Sequence, residues 1–128
     1  MILVDTNVII DYWKVPDDWT TKIFKKEDIA ICGVVEAELI HGARSDKDIR
    51  NIITAISGFE MLSYSGDWEK LGRMLYKLRV SGVTLPVTDV LIAQIAIDHR
   101  VAILSRDNHF RFMKNVFSEL QLYPAEIK

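Results

Sequence analysis

Short apolar runs alternate with longer amphipathic stretches along this chain, and that alternation limits the folds open to it. Short, continuous apolar runs are typical of buried strands, whereas apolar residues that recur every three or four positions are typical of helices. The apolar runs predict strands at 2–4, 28–32, 59–62, 101–104 and 120–123. The amphipathic stretches predict helices at 7–14, 18–26, 33–44, 46–57, 67–81 and 88–99, and a short helix at 108–114. Three clusters are typical of turns and helix N-caps, with Thr88 the expected cap of the helix at 88–99: Pro16-Asp17-Asp18, Ser65-Gly66-Asp67 and Pro86-Val87-Thr88.

Strands that alternate with helices are joined by crossover connections, which make the strands parallel and cover both faces of the sheet. We therefore predict an α/β fold in three α/β/α layers around a central, mostly parallel five-stranded sheet. No internal repeat or Gly/Ser linker divides the 128 residues, so a single domain is expected over 1–128. Sheets of this kind bind their ligands at the carboxyl ends of the strands.

Composition limits how the chain could contact a polyanion. A net charge of −2 and a pI near 5.9 argue against a protein that coats nucleic acid through charge alone. A polyanionic substrate would need a local basic patch or a bound cation. The single cysteine, Cys32, lies in an apolar run and is expected to be a small buried hydrophobic residue.

The N-terminal segment predicts neither a signal peptide nor a membrane span. It lacks a basic region, and Asp5 and Asp11 interrupt its apolar run. The cytoplasm is therefore the expected location.

Three acids are predicted to lie at the carboxyl edge of the sheet. Asp5 directly follows the first predicted strand, and Asp107 closely follows the strand at 101–104. Asp89 begins an apolar helix that leads into that same strand, so its end of the helix should also lie at this edge. Asp89 has a second interpretation, because an acid in the first turn stabilises the helix dipole by about 0.3–1 kcal/mol.

Glu38 is the fourth candidate, and it lies within the predicted helix at 33–44. Val34 and Val35 precede it by one turn and Gly42 follows it by one turn, so its face of the helix is expected to be apolar or small. Glu36 is expected to face solvent instead. A carboxylate on an apolar face is costly unless it is paired or bound to a metal, which favours a functional role for Glu38.

Four converging carboxylates would need a cation. Neighbouring carboxylates raise one another's pKa, and a divalent ion removes that conflict. Hard oxygen ligands favour Mg²⁺ or Mn²⁺ over Zn²⁺. Several acids around such an ion suit phosphoryl chemistry, in which the metal activates water and neutralises the phosphate.

Four segments of the chain are similar to the sequence blocks of a known family. They are VDTNVIIDYW, VVEAELIHGA, TDVLIAQIAIDH and ILSRDNHF, and they occur in the family's order over the whole chain. Each is weak alone, but the four together are specific. The sequence resembles PIN-domain nucleases, and more closely the VapC-type ribonuclease toxins of toxin-antitoxin pairs, so the resemblance implies a PIN-like fold.

The resemblance also implies a site and an activity. It assigns catalytic and metal-binding roles to Asp5, Glu38, Asp89 and Asp107. It assigns supporting polar roles to Thr6, Asn7 and Ser105. It implies an endoribonuclease that depends on Mg²⁺ or Mn²⁺ and cuts structured RNA such as tRNA or rRNA. A homodimer and a cognate VapB-type antitoxin are implied as well.

Basic and aromatic side chains near these segments suggest contacts with RNA and with a partner. Arg106 is a candidate phosphate contact, while Arg111 and Lys114 fit ordinary surface charge equally well. The aromatic residues of the first two helices predict either a groove for an amphipathic antitoxin segment or an aromatic core; they are Tyr12, Trp13, Trp19 and Phe24.

Other functions remain open at the level of sequence. A metal-independent ribonuclease would use two imidazoles as acid and base, and the chain offers His41, His99 and His109. His109 also fits a residue that caps or packs after the last loop. A non-catalytic RNA-binding or regulatory module would keep the fold without turnover. A haloacid-dehalogenase-type phosphatase is disfavoured, because it needs a second Asp where this chain has Asn7.

Overall fold

Every predicted strand and helix is present in the computed structural model, which describes residues 1–124. The strands are β1 (Ile2–Val4), β2 (Ile29–Cys32), β3 (Glu60–Leu62), β4 (Ala102–Leu104) and β5 (Gln121–Leu122). The helices are α1 (Thr6–Lys14), α2 (Asp18–Lys26), α3 (Gly33–His41), α4 (Asp46–Ile56), α5 (Trp68–Val80), α6 (Val87–His99) and α7 (His109–Val116). The end of the predicted domain, after residue 124, lies outside the described residues.

The five strands form one parallel sheet in the order β3-β2-β1-β4-β5. The predicted sheet is therefore confirmed. β1 pairs with both β2 and β4, so the chain order reverses at β1, where open α/β sheets bind their ligands. Val4 lies beside Leu104 in the register, which brings the carboxyl ends of β1 and β4 together.

Helices cover both faces of the sheet. α3 contacts α1 and α4, while α5, α6 and α7 contact one another. The crossovers from β1 to β2 and from β3 to β4 run in opposite directions across the sheet. Since such crossovers are right-handed, their helices lie on opposite faces, and the predicted α/β/α layering is confirmed.

The core consists of the sheet and the helix α6. Val90 and the whole stretch 92–96 are buried, which explains why α6 is apolar on nearly every side. Cys32 is fully buried at the end of β2, as predicted for a small hydrophobic residue. None of the helices within residues 1–124 is long and apolar enough to cross a membrane.

Acidic side chains begin two of the helices as expected. The carboxylate of Asp17 accepts a hydrogen bond from the Thr20 backbone N–H at 3.1 Å. The carboxylate of Asp67 accepts one from the Lys70 backbone N–H at 3.0 Å. Each satisfies an N–H that has no partner within its own helix.

Two predicted helix ends were wrong. Thr88 was expected to cap α6, but Pro86 takes that place, because its backbone is extended and its carbonyl accepts from the Val90 N–H at 3.2 Å. α3 was predicted to continue to 44 but ends at His41. The reason lies in the next helix, since Ser45 must leave the helical conformation to cap α4.

Gln94 is a fully buried polar residue that attaches α6 to the segment before α5. Its side-chain amide donates to the Asp67 carbonyl at 3.1 Å, and its oxygen accepts from the Tyr64 hydroxyl at 3.2 Å. Gln94→Ala would leave a cavity and unpaired polar groups, so we expect a loss of about 2–4 kcal/mol in the free energy of unfolding.

Urea denaturation at neutral pH checks this expectation. The matched control is Gln121→Ala, which removes an exposed glutamine and should change stability by less than about 0.5 kcal/mol. Equal urea midpoints for the two variants would contradict the structural role of Gln94.

Candidate active site

Asp5 lies between the carboxyl ends of the two central strands. It follows β1 directly, and its backbone N–H donates to the Leu104 carbonyl of β4 at 2.9 Å. One carboxylate oxygen accepts from the Thr6 backbone N–H at 2.8 Å, so Asp5 also caps α1. The other oxygen accepts from the Ser105 hydroxyl at 2.7 Å. The side chain is thus fixed on both sides while only 6% of the residue is exposed.

Glu38 reaches the same edge from α3. Its Oε1 accepts a hydrogen bond from the Thr6 hydroxyl at 2.7 Å. The surroundings predicted for it were wrong: Glu38 is exposed, whereas Glu36, expected to face solvent, is partly buried. The first turns of α3 pack so that Val35 and Leu39 face the core, and this orientation leaves Glu38 accessible.

Asp89 and Asp107 meet around His109. Asp89 lies in the first turn of α6, and its Oδ2 is 2.5 Å from Nδ1 of His109. Asp107 accepts from the His109 backbone N–H at 3.0 Å. Ligand atoms from these three residues lie within 4.8 Å of one another. The loop after β4 and the start of α6 therefore form one cluster, as the topology predicts.

Burial and neighbouring charge raise the pKa of Asp5 above its usual range. Desolvation is the largest cause, and the carboxylates of Asp89 and Glu38 add to it, which places both near Asp5. The hydrogen bonds from Ser105 and Thr6 act in the opposite direction. The pKa of His109 is also raised, chiefly by its hydrogen bond to Asp89.

The side chains present fit a hard divalent cation. Oxygen donors dominate the cluster, and a partly desolvated group of like charges is stabilised by a cation of the kind that carboxylates prefer. Burial and the carboxylates of Asp89 and Glu38 disfavour the ionised form of Asp5 and raise its pKa, and a bound cation would offset both effects.

The supporting polar residues predicted from sequence lie where they contact the acids or their loops. The Ser105 hydroxyl also accepts from the Asp107 backbone N–H at 3.0 Å, so it connects two of the acids. The Asn7 side chain accepts from the Arg106 backbone N–H at 3.4 Å. The Arg106 guanidinium pairs with Asp11 at 3.2 Å.

The histidines do not form the pair that an imidazole ribonuclease would need. His99 makes a hydrogen bond with the Ser63 carbonyl at 2.8 Å, and His109 bonds to Asp89. His41 lies exposed at the end of α3. The place of His109 in the acidic cluster was not predicted from the sequence, although its position two residues after Asp107 was a usable signal.

The four aromatic residues of the first two helices divide between core and surface. Trp19 and Phe24 pack against the core, and the Phe24 ring lies 4.9 Å from that of Tyr12. Trp13 remains 38% exposed and lines a groove beside α4. The aromatic-core interpretation is therefore confirmed for Trp19 and Phe24. Trp13 and Tyr12 line a groove, and its use as an antitoxin site stays a prediction.

With the fold and the acids located, similarity to known proteins decides the family. The family model of the PIN domain matches residues 2–115. The chain belongs to the PIN-domain family. The resemblance predicted from the four sequence segments is confirmed by this match.

Individual relatives point to the VapC type. Ribonuclease VapC17 of Mycobacterium tuberculosis is 30% identical over 88 residues, which make up 66% of this chain and 66% of that protein. A chain of VapBC2 from Rickettsia felis, solved with a promoter DNA fragment, superposes with a TM-score of 0.78 at 23% identity, covering 96% of this chain and 98% of its own. VapBC-1 of Haemophilus influenzae gives a TM-score of 0.79 at 21% identity, with 96% and 97% coverage. At these identities the two structures establish a shared fold.

Asp5→Asn should stabilise the metal-free protein at neutral pH. Because burial raises the folded-state pKa above 3.8, the folded protein binds this proton more tightly than the unfolded chain does. The contribution of Asp5 to stability in EDTA therefore falls as the pH rises from about 3.8 through the raised pKa, and it stays unfavourable at pH 7. Asn removes the charge, can still cap α1, and can donate to the Ser105 hydroxyl.

Urea midpoints in EDTA at several pH values measure the effect. The matched control is Asp18→Asn, which neutralises an exposed acid in the first turn of α2 and should bring no gain. A lower midpoint for Asp5→Asn than for the parent at pH 7 would show that the buried charge is not a cost to the fold.

Proposed function

We propose that this chain is a divalent-metal-dependent endoribonuclease and the toxin of a VapBC-type toxin-antitoxin pair. The carrying observation is the convergence of acids from three separate segments around Asp5, where both Asp89 and Glu38 raise its pKa. Asp107 joins them through Ser105. We propose structured RNA such as tRNA or rRNA as the substrate and the cytoplasm as the location.

The acids that would hold the ion are Asp5, Glu38, Asp89 and Asp107. When bound, Mg²⁺ or Mn²⁺ would neutralise these carboxylates and the scissile phosphate and would lower the pKa of a water molecule. We expect products with a 5'-phosphate and a 3'-hydroxyl, because water rather than the ribose 2'-hydroxyl is then the nucleophile.

The chain's own polar side chains orient the acids before any substrate arrives. Thr6 directs its backbone N–H to Asp5 and its hydroxyl to Glu38. Ser105 donates to Asp5 and accepts from the Asp107 backbone. Catalytic groups held in this way need little reorganisation during the reaction, which is a large part of the advantage of an enzyme.

Arg106 is the proposed phosphate contact at the mouth of the site. Its backbone N–H bonds to Asn7 and its guanidinium to Asp11, so α1 holds it beside Asp107. The guanidinium side of this pair stays partly exposed and can exchange Asp11 for an RNA phosphate. Lys114 is less suited to that role, since its ammonium donates to the Ser118 carbonyl at 2.8 Å.

A groove between α1 and α4 is the proposed docking place of the VapB-type antitoxin. It encloses about 660 Å³. Its apolar lining includes Ile10, Trp13, Leu39 and Ile52. Its charged lining is three basic residues, Lys14, Arg44 and Lys47, and one acid, Asp48, so the groove is basic on balance. An amphipathic antitoxin segment with apolar anchors and acidic neighbours would match both sets. The VapBC complexes of similar fold support a partner of this kind.

A homodimer is proposed from the exposed apolar residues of α5 and its neighbourhood. Trp68, Tyr76 and Val80 on α5 are 63%, 59% and 59% exposed, and Val87 at the start of α6 is 54% exposed. Four large apolar side chains stay exposed in this region, and their burial between two copies of the chain would remove them from water.

Glu38→Gln tests the proposed activity with a control on the same helix turn. We expect it to reduce the cleavage rate of total tRNA by at least about 100-fold in Mg²⁺ or Mn²⁺, because one charged ligand of the ion is lost. Glu36→Gln makes the same chemical change two residues away and should cleave at nearly the parent rate. EDTA should abolish cleavage by the parent and by both variants.

The outcomes separate the candidate functions. Cleavage that persists in EDTA would favour an imidazole ribonuclease and contradict the proposal. Folded parent protein that binds Mn²⁺ and RNA but cleaves nothing would favour the non-catalytic RNA-binding module. Equal activity of the Glu38 and Glu36 variants would remove Glu38 from the site.

A further inference from the structure

His109 contacts both acids of the cluster at the start of α6 and the end of β4. Its Nδ1 lies 2.5 Å from Asp89 Oδ2 and 3.4 Å from Asp107 Oδ1. Its backbone N–H donates to the same Asp107 oxygen at 3.0 Å. A carboxylate only accepts hydrogen bonds, so the proton in the short contact is on Nδ1.

The two acids have no other side-chain support among residues 1–124. Asp5 is held by Thr6 and Ser105, and Glu38 is held by Thr6. The hydrogen bonds to the carboxylates of Asp89 and Asp107 within this part of the chain all come from His109. Thr6 and Ser105 therefore hold Asp5 and Glu38, whereas His109 holds Asp89 and Asp107.

The position of His109 is fixed by the helix that it begins. It is the first residue of α7, which is anchored by Phe110 and Met113, both essentially fully buried. The His109 side chain itself is 34% exposed, so core packing does not explain why it points toward the acids. A ring on a rigid, anchored helix end is well placed to hold two flexible carboxylates.

We propose that His109 is a positioning residue that holds Asp89 and Asp107 ready to bind the divalent cation. The inference rests on the proposed function and deepens it, since it assigns a new residue to the same site. Side chains that hydrogen-bond to metal-binding carboxylates fix their orientation, and their loss typically weakens metal affinity by about 10–100-fold. Here one imidazole and one backbone N–H orient two ligands from different elements.

The test compares His109→Ala and His109→Asn by calorimetric titration with Mn²⁺ in the absence of RNA. His109→Ala removes the donor, and we expect its Mn²⁺ affinity to fall by about 10–100-fold. His109→Asn keeps a donor at the level of Nδ1 and cannot titrate near neutral pH, so it should restore affinity to within about threefold of the parent. His41→Ala is the matched control, because His41 is exposed on α3 and should leave affinity unchanged.

Cleavage kinetics add a second readout. We expect His109→Ala to need more Mn²⁺ for its half-maximal rate, while its kcat at saturating Mn²⁺ stays within about tenfold of the parent. Thermal denaturation of each variant in EDTA establishes that the fold is intact. If His109→Ala does not fold, the Mn²⁺ affinity of His109→Asn still tests the inference. Parent-like affinity supports a hydrogen-bonding role, and weak binding indicates a role for the imidazole ring itself.

Three results would overturn the inference. Parent-like Mn²⁺ affinity in His109→Ala would show that the acids need no such support. Equally weak binding in the Ala and Asn variants would make a ring nitrogen a metal ligand. Normal binding in both with a lost kcat would make the imidazole an acid or base. If the parent cleaves RNA and binds Mn²⁺, and His109→Ala binds Mn²⁺ equally well, only this inference is contradicted. If the parent neither cleaves RNA nor binds Mn²⁺, the proposed function is contradicted too.

Discussion

The hydrogen bond between Ser105 and Asp5 is the contact on which the site depends, because it joins the carboxyl ends of the two central strands. Parallel pairing of β1 with β4 brings Val4 beside Leu104, so the residues that follow each strand meet. Ser105 then connects Asp5 to the Asp107 backbone. The order of strands therefore decides which acids converge although they are far apart in sequence.

A buried acid beside other acids opposes folding, and the rest of the structure compensates for it. The pKa of Asp5 is raised mainly by desolvation, so the ionised carboxylate is held at a cost to the free energy of folding. α6 is buried on nearly every side and packs against β4, which makes the framework rigid where Asp89 begins. The same helix is fixed through Gln94, so the stability of the core and the position of the site are connected.

The sequence predicted the parts of the molecule that follow from local patterns. Apolar runs located every strand, and acids at or shortly after strand ends placed Asp5 and Asp107 at one edge, because the carboxyl ends of parallel strands share an edge of the sheet. The surroundings of Glu38 were predicted wrongly, since the face of α3 that is buried depends on the packing of α1 and α4 rather than on α3 alone. The contact of His109 with Asp89 was not predicted for a similar reason: the two residues are 20 positions apart, and only the fold brings them together.

Anomalous X-ray diffraction from a crystal of the parent protein soaked in Mn²⁺ would show whether the acids at this edge of the sheet hold a divalent cation. We expect a manganese peak among the carboxylates of Asp5, Asp89 and Asp107, with Glu38 close by, and we expect the peak to be lost in Asp5→Asn crystals. Full occupancy at another place on the molecule, with none at this edge of the sheet, would contradict this expectation.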